Sequence, residues 1–149
     1  MALALLDITA DRQSNFALIH FAGTGQVRVD VFRPGEYTVA DKMATAEVFL
    51  NGGTDFVTPM RSAMSLLETG GFENADVVFI TDGECEMSGG YVDELRERQT
   101  ALGFTVTGIL LDTEISGMQF SLEPFCQKIY RTSQMMGDEI VRDLVNQRV

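Results

Sequence analysis

The sequence predicts an α/β protein built on a doubly wound, mostly parallel sheet with one antiparallel edge strand, layered between helices as a three-layer sandwich. Two observations carry this prediction. Residues 76–84, Asp-Val-Val-Phe-Ile-Thr-Asp-Gly-Glu, hold four consecutive apolar residues that end abruptly in carboxylates. Such a run fits a strand buried on both faces, as in a parallel sheet covered by helices. From there to the C-terminus, strand-like runs alternate with helix-like ones, which is the order of βαβ units.

Taken in order, the chain opens on a short helix, apolar nearly all round through Leu3, Leu5, Leu6 and Ile8, with Asp11 and Arg12 near its end and no N-cap before it. Phe16–Ala22 reads as a buried strand. After Gly23-Thr24-Gly25, Val27, Val29 and Val31 alternate with Arg28 and Asp30, the pattern of a half-exposed edge partner in a hairpin. His20, the single histidine, reads as a hydrogen-bonded core residue. Pro34-Gly35 breaks the second strand, and Thr38-Val39-Ala40-Asp41 predicts a capping box opening a helix through Met43, Ala46 and Leu50.

Beyond Asn51-Gly52-Gly53-Thr54-Asp55, a helix buries Val57, Met60, Met64 and Leu67 and ends at Gly70-Gly71. Its methionines lie on one stripe and read as core filler. The strand of residues 77–81 follows. Ser88-Gly89-Gly90 then precedes a helix with Val92, Leu95 and Leu102 inward, closed by Gly103. Phe104–Leu111 is a strand ending in Asp112, and Gly108 within it predicts close approach of a neighbouring element. A Gly-, Ser- and Met-containing loop leads to a helical piece at Leu122–Phe125. Lys128–Thr132 is a short edge strand, and Asp138 caps a last helix burying Ile140, Val141, Leu144 and Val145.

At 149 residues this is expected to be a single domain, 1–149, with enough chain to bury a core. Eleven basic residues against 22 acidic ones give a net charge of −11, which argues against nucleic acid and anionic membrane as partners and suits a cation or a basic protein. Two cysteines, Cys85 and Cys126, make neither a disulfide framework nor a zinc site and point to a reducing, cytoplasmic setting. The opening residues lack the basic leader of a secretory signal, and no apolar run is long enough to span a membrane.

The candidate site is the carboxyl end of the 77–81 strand. In open α/β sheets ligands bind just beyond the strand ends, so Asp82, followed by Gly83 and Glu84, is well placed to hold a cation. The Gly-rich loop upstream offers the Thr54 hydroxyl and the Asp55 carboxylate. Each stretch also has a purely structural reading: Asp-Gly as an ordinary turn, and Gly-Gly-Thr-Asp as a helix start capped by Thr54 or Asp55.

Together, the helix, the strand Asn15–Phe21, Gly52-Gly53-Thr54-Asp55 opening a helix, and Val77–Glu84 resemble a von Willebrand factor type A domain. More narrowly, the chain is similar to the bacterial cytoplasmic branch that works with MoxR-type AAA+ ATPases. The resemblance covers essentially the whole chain. It implies a magnesium ion at a metal-ion-dependent adhesion site made from three loops: an Asp-x-Ser-x-Ser motif after the first strand, then a Thr, then an Asp. Thr54 matches the second and Asp82 the third; Asp55 and Glu84, to which the family gives no firm role, are further oxygens that could compensate for the missing motif. The first motif has no counterpart here. The expectation is therefore an N-terminally shortened domain lacking its first central strand, weak or absent magnesium binding, and a sheet gap closed either by direct strand pairing within the chain or by association with a second copy through exposed strand edges.

The resemblance implies a non-enzymatic protein-binding module, metal-dependent when complete, with a AAA+ ATPase as partner. Two alternatives stand beside it: a magnesium-dependent hydrolase or phosphotransfer domain using Asp82 and Glu84, and an inert fragment whose metal site is lost. No Walker loop, Ser-His-Asp set or Lys placed beside a phosphorylatable Asp supports the enzyme.

Overall fold

The computed structural model describes residues 1–69, 71–112 and 122–147. The backbone packs into two compact units, Met1–Ala63 and Met64–Val149, and each has its own sheet.

In the first unit, α1 (Ala2–Asp11) buries Leu6 and has no side-chain cap at its start. β1 (Phe16–Phe21) and β2 (Val27–Phe32) form an antiparallel hairpin, from Phe16 opposite Phe32 to Phe21 opposite Val27. Its turn is closed by Ala22 N–H donating to the Gln26 carbonyl and Gln26 N–H to that of Gly23. β1 is half-buried along its whole length rather than buried as its composition predicted. Its six residues pair with β2 alone, so one edge has no strand against it among the described residues.

α2 (Val39–Ala46) starts at the predicted capping box: Thr38 N–H donates to Asp41 Oδ2 at 2.7 Å and Asp41 N–H to Thr38 Oγ1 at 3.3 Å. It stops before Leu50, and its apolar side chains face outward. The buried side is Thr45, whereas Val39 is 72% and Met43 59% exposed, and Phe49 beyond the helix is 84% exposed. Leaving such side chains in water forgoes about 1.5–3 kcal/mol each. Polar contacts orient the helix instead. The Thr45 hydroxyl donates to Asp30 Oδ2 at 2.7 Å and lies 2.9 Å from His20 Nε2, and Lys42 pairs with Asp7. His20 is thus the hydrogen-bonded residue the sequence predicted.

α3 (Val57–Glu68) buries Met60, Met64 and Leu67 on the predicted stripe, with Val57 half-buried. The helix ends at Glu68; Gly71 beyond it has φ +104°, and Gly70 lies outside the described residues.

In the second unit, β3 (Val77–Thr81), β4 (Val106–Leu110) and β5 (Lys128–Arg131) form a parallel sheet in sequence order, with Thr81 beside Leu110 and Leu110 beside Arg131. Every residue of central β4 is buried. The broad α/β expectation therefore holds. The hairpin, however, is a separate sheet and not an edge of the parallel one; the described residues between 33 and 76 form two helices and no strand. The three parallel strands also run one way without the reversal that defines a doubly wound sheet.

α4 (Gly89–Leu102) is capped by Ser88, whose Oγ accepts from Tyr91 N–H, and closed by left-handed Gly103. Both Gly89 and Gly90 are already helical. Tyr91, Val92, Leu95 and Gln99 face inward, and Leu102, predicted inward, is 36% exposed because it is the last residue before the cap. Leu122–Phe125 is a turn rather than a helix, and the loop before it falls outside the described residues. α5 (Gly137–Asn146) begins two residues earlier than predicted, with Met136 rather than Asp138 at the N-cap: Glu139 reaches back to Met136 N–H at 3.0 Å, Asp138 sits in the first turn, and Ile140 is fully buried.

Candidate functional site

Asp82 is placed by the residue before it. The Thr81 hydroxyl ends β3 by accepting from Gly83 N–H at 3.1 Å, and the Thr81 carbonyl accepts from Leu111 N–H at 2.8 Å. This local turn directs Asp82 outward, and Asp82, Glu84 and Glu86 are all exposed. Among the described residues no hydrogen bond or ion pair engages the carboxylates of Asp82 or Glu84. The adjacent Cys85 thiol points only to the Glu86 carbonyl, 3.8 Å away, with no base beside it. Residues 64–149 carry fifteen acidic and six basic side chains, so this rim lies in the more acidic part of the molecule.

The neighbouring strand end also carries an aspartate, with a different fate. Asp112 follows β4 and its side chain is 0% exposed. Oδ1 accepts from Ser133 N–H at 3.0 Å and Oδ2 from Arg131 Nε at 2.6 Å, while Thr132 Oγ1 accepts from Asp112 N–H. Burial pushes this carboxyl's pKa up, but the Ser133 amide and Arg131 guanidinium outweigh it and hold the pKa below the usual range. Asp112 is therefore a clamp between the ends of β4 and β5, spent on structure. Sequence reasoning placed it at a strand end but missed the clamp, because Arg131 and Ser133 reach it only through the parallel register.

The Gly-rich loop belongs to the first unit, and its first glycine has a packing reason. Gly52 adopts φ +152°, and a Cβ there would collide with the Gln26 carboxamide, whose Oε1 accepts from Gly23 N–H at 3.0 Å. Asp55 N–H donates to the Ala22 carbonyl at 2.8 Å, and Gly25 N–H to Thr58 Oγ1 at 3.1 Å. The loop is thus pinned to the hairpin turn.

Asp55 starts α3. Its Oδ1 accepts from Val57 N–H at 3.2 Å, and its Oδ2 from Thr58 N–H at 3.1 Å and from the Thr58 hydroxyl. Burial raises its pKa, but these bonds prevail and hold it low, as expected for a carboxylate on a helix N-terminus. Both oxygens are occupied by the helix. Thr54 beside it is exposed, and its hydroxyl has no hydrogen bond among the described residues.

Thr54 and Asp55 therefore sit on a loop of the first unit, and Asp82 and Glu84 on one of the second. Among the described residues no group of three or more His, Cys, Asp or Glu side chains gathers to hold a metal ion. The Cys126 thiol, pushed up to about 12 by burial, is chemically quiet. No described helix is long and apolar enough to cross a membrane.

No protein-family profile matches the chain. It is 26% identical over 145 residues to an uncharacterized protein of Methanocaldococcus jannaschii, an alignment covering 97% of this chain and 36% of that protein. A second uncharacterized protein of the same organism is 27% identical over 114 residues, 75% of this chain and 26% of its own length. The chain thus spans about a third and a quarter of the relatives it matches.

Proposed function

We propose that this chain is a protein-binding module of the von Willebrand factor type A kind, cytoplasmic, without chemistry of its own, that partners a MoxR-type AAA+ ATPase and associates with a second copy of itself. The observation that carries the reading is the rim at Asp82. Its carboxylate is presented outward from the carboxyl end of a parallel strand, β3, in which Phe79 and Thr81 are buried and the other three residues half-buried, by a turn that Thr81 builds, with Glu84 and Glu86 beside it. Such a rim can recognise a partner. Among the described residues no second catalytic group is recorded with it: the Cys85 thiol points to the Glu86 carbonyl, and His20 is held by Thr45 in the first unit.

Among the described residues, the donors do not fit a resident magnesium ion. Magnesium requires six oxygens in near-octahedral array. In the first unit Thr54 offers one hydroxyl and Asp55 is committed to α3; in the second, Asp82 and Glu84 are exposed side chains of one loop. Recognition by this chain therefore rests on the charge and shape of its rim, and metal-dependent capture belongs to a site completed by further ligands.

Two measurements test this. Calorimetric titration with magnesium should show no micromolar site; a micromolar site lost in Asp82→Ala would overturn the account of the donors. Binding of a purified MoxR-type ATPase should weaken by about tenfold, or 1.4 kcal/mol, in Asp82→Lys. Turnover of phosphate esters or nucleotides, abolished by Asp82→Ala, would replace the binding module with a hydrolase.

A further inference from the structure

α2 is attached by its polar side and shows its apolar side to water. The face toward the protein is Thr45, held by Asp30 and His20, with Lys42 tied to Asp7 at the flank. Val39 and Met43, four residues apart on one helical face, are exposed together with Ala40, Ala44 and Ala46, and Phe49 follows at 84% exposure. Hydrophobic burial alone would turn such a helix over. A contiguous apolar face kept outward by a polar anchor is the signature of an interaction surface.

The charges around it specify the occupant. Between Pro34 and Asn51 the charged residues are Glu36, Asp41, Lys42 and Glu47. The three acids are exposed, and the single cation is already paired with Asp7. The face is therefore apolar at its centre and acidic at its rim, within a chain of net charge −11. We propose that the Val39–Met43 face of α2, with Phe49, docks an amphipathic segment of a partner protein whose apolar anchors are flanked by Lys or Arg. A helix laid along α2 would place its anchors on Val39 and Met43 and its cations against Glu36 and Glu47. Such docking needs neither Asp82 nor a metal ion, and so stands apart from the rim described above.

The test uses the full 149-residue chain in EDTA and a fluorescein-labelled helical peptide of about 18 residues with a leucine face and lysine flanks. A control peptide keeps the leucine face and carries glutamate flanks. Fluorescence anisotropy should show the lysine peptide binding about tenfold more tightly than the glutamate peptide. Met43→Glu and Phe49→Ser should each weaken it by a similar factor with circular dichroism unchanged, while Asp82→Lys leaves it intact. Carbon-13 methyl spectra should shift at Met43. Equal binding of the two peptides, no binding of either, or insensitivity to Met43→Glu would overturn the proposal. So would a sedimentation dimer that dissociates in Met43→Glu, since the face would then belong to a second copy.

Discussion

Thr45 links three groups: the Asp30 carboxylate, which Arg28 also holds at 3.1 Å, the His20 ring and α2 itself. Its hydroxyl donates to Asp30, so His20 Nε2 must be the protonated nitrogen that donates to Thr45. Thr45→Val keeps the shape but removes the hydrogen bonds to His20 and to Asp30 Oδ2, leaving Asp30 with Arg28 Nε at 3.1 Å, and should destabilise the protein by about 1–3 kcal/mol in urea unfolding. The pH response follows from the same cluster. Burial lowers the pKa of His20 from its ordinary 6.5, against the pull of Asp30 and with the push of Arg28. The unfolded chain thus binds a proton that the folded one refuses between the lowered value and 6.5. Stability from this group is complete above pH 6.5 and drains as pH falls through the folded value. The urea midpoint should decrease from pH 7 to about 5.5, and the decrease should shrink in His20→Gln, whose amide can still donate to Thr45. The sequence marked His20 as structural because a lone histidine in an apolar strand needs a hydrogen bond. It did not reveal Thr45, 25 residues away, because nothing local links the two.

Elements were legible where their signals are local. The Thr38 and Asp41 capping box, the Gly103 stop and the stripe through Met60, Met64 and Leu67 all appear where the residues predict them. The facing of α2 was not legible, since periodicity gives an apolar side but not what lies opposite it. Gly108 shows the opposite case, in which one residue announces its neighbour. A Cβ at this position in β4 would stand 3.1 Å from Cys126 Sγ and 3.2 Å from Leu122 Cδ1. The turn pressing on it cannot retreat: Gln99 Nε2 donates to the Phe125 carbonyl at 2.8 Å, and Gln127 Oε1 accepts from Val106 N–H at 2.6 Å. Gly108→Val should therefore cost about 1–3 kcal/mol of overpacking, read as a lowered midpoint with an unchanged denaturant slope. Gly108→Ala should cost less.

For the whole molecule, the α/β class was legible from the alternation of runs, and the division into two sheets was not, because strand pairing is decided by which edges meet. Those edges differ in chemistry. Val77 N–H donates to Thr105 and the Thr81 carbonyl accepts from Leu111, so the odd-numbered residues of β3 serve β4 and the main-chain groups of Val78 and Ile80 point the other way. β5 is guarded at the opposite edge by its shortness and by Lys128 and Arg131. β3 carries no charge from Val77 to Thr81 and has the composition of a strand meant to be paired on both sides. The proposed self-association should therefore run through β3. Two copies joined across a two-fold axis would make one continuous six-stranded sheet. Sedimentation equilibrium of the full chain should give a dimer of the same mass with and without magnesium. Val78→Pro removes a donor that β4 does not use, and should yield a folded monomer. A monomeric parent chain, or a dimer indifferent to Val78→Pro, would show that this edge is covered within one molecule and that the acidic rim at Asp82 works from a single copy.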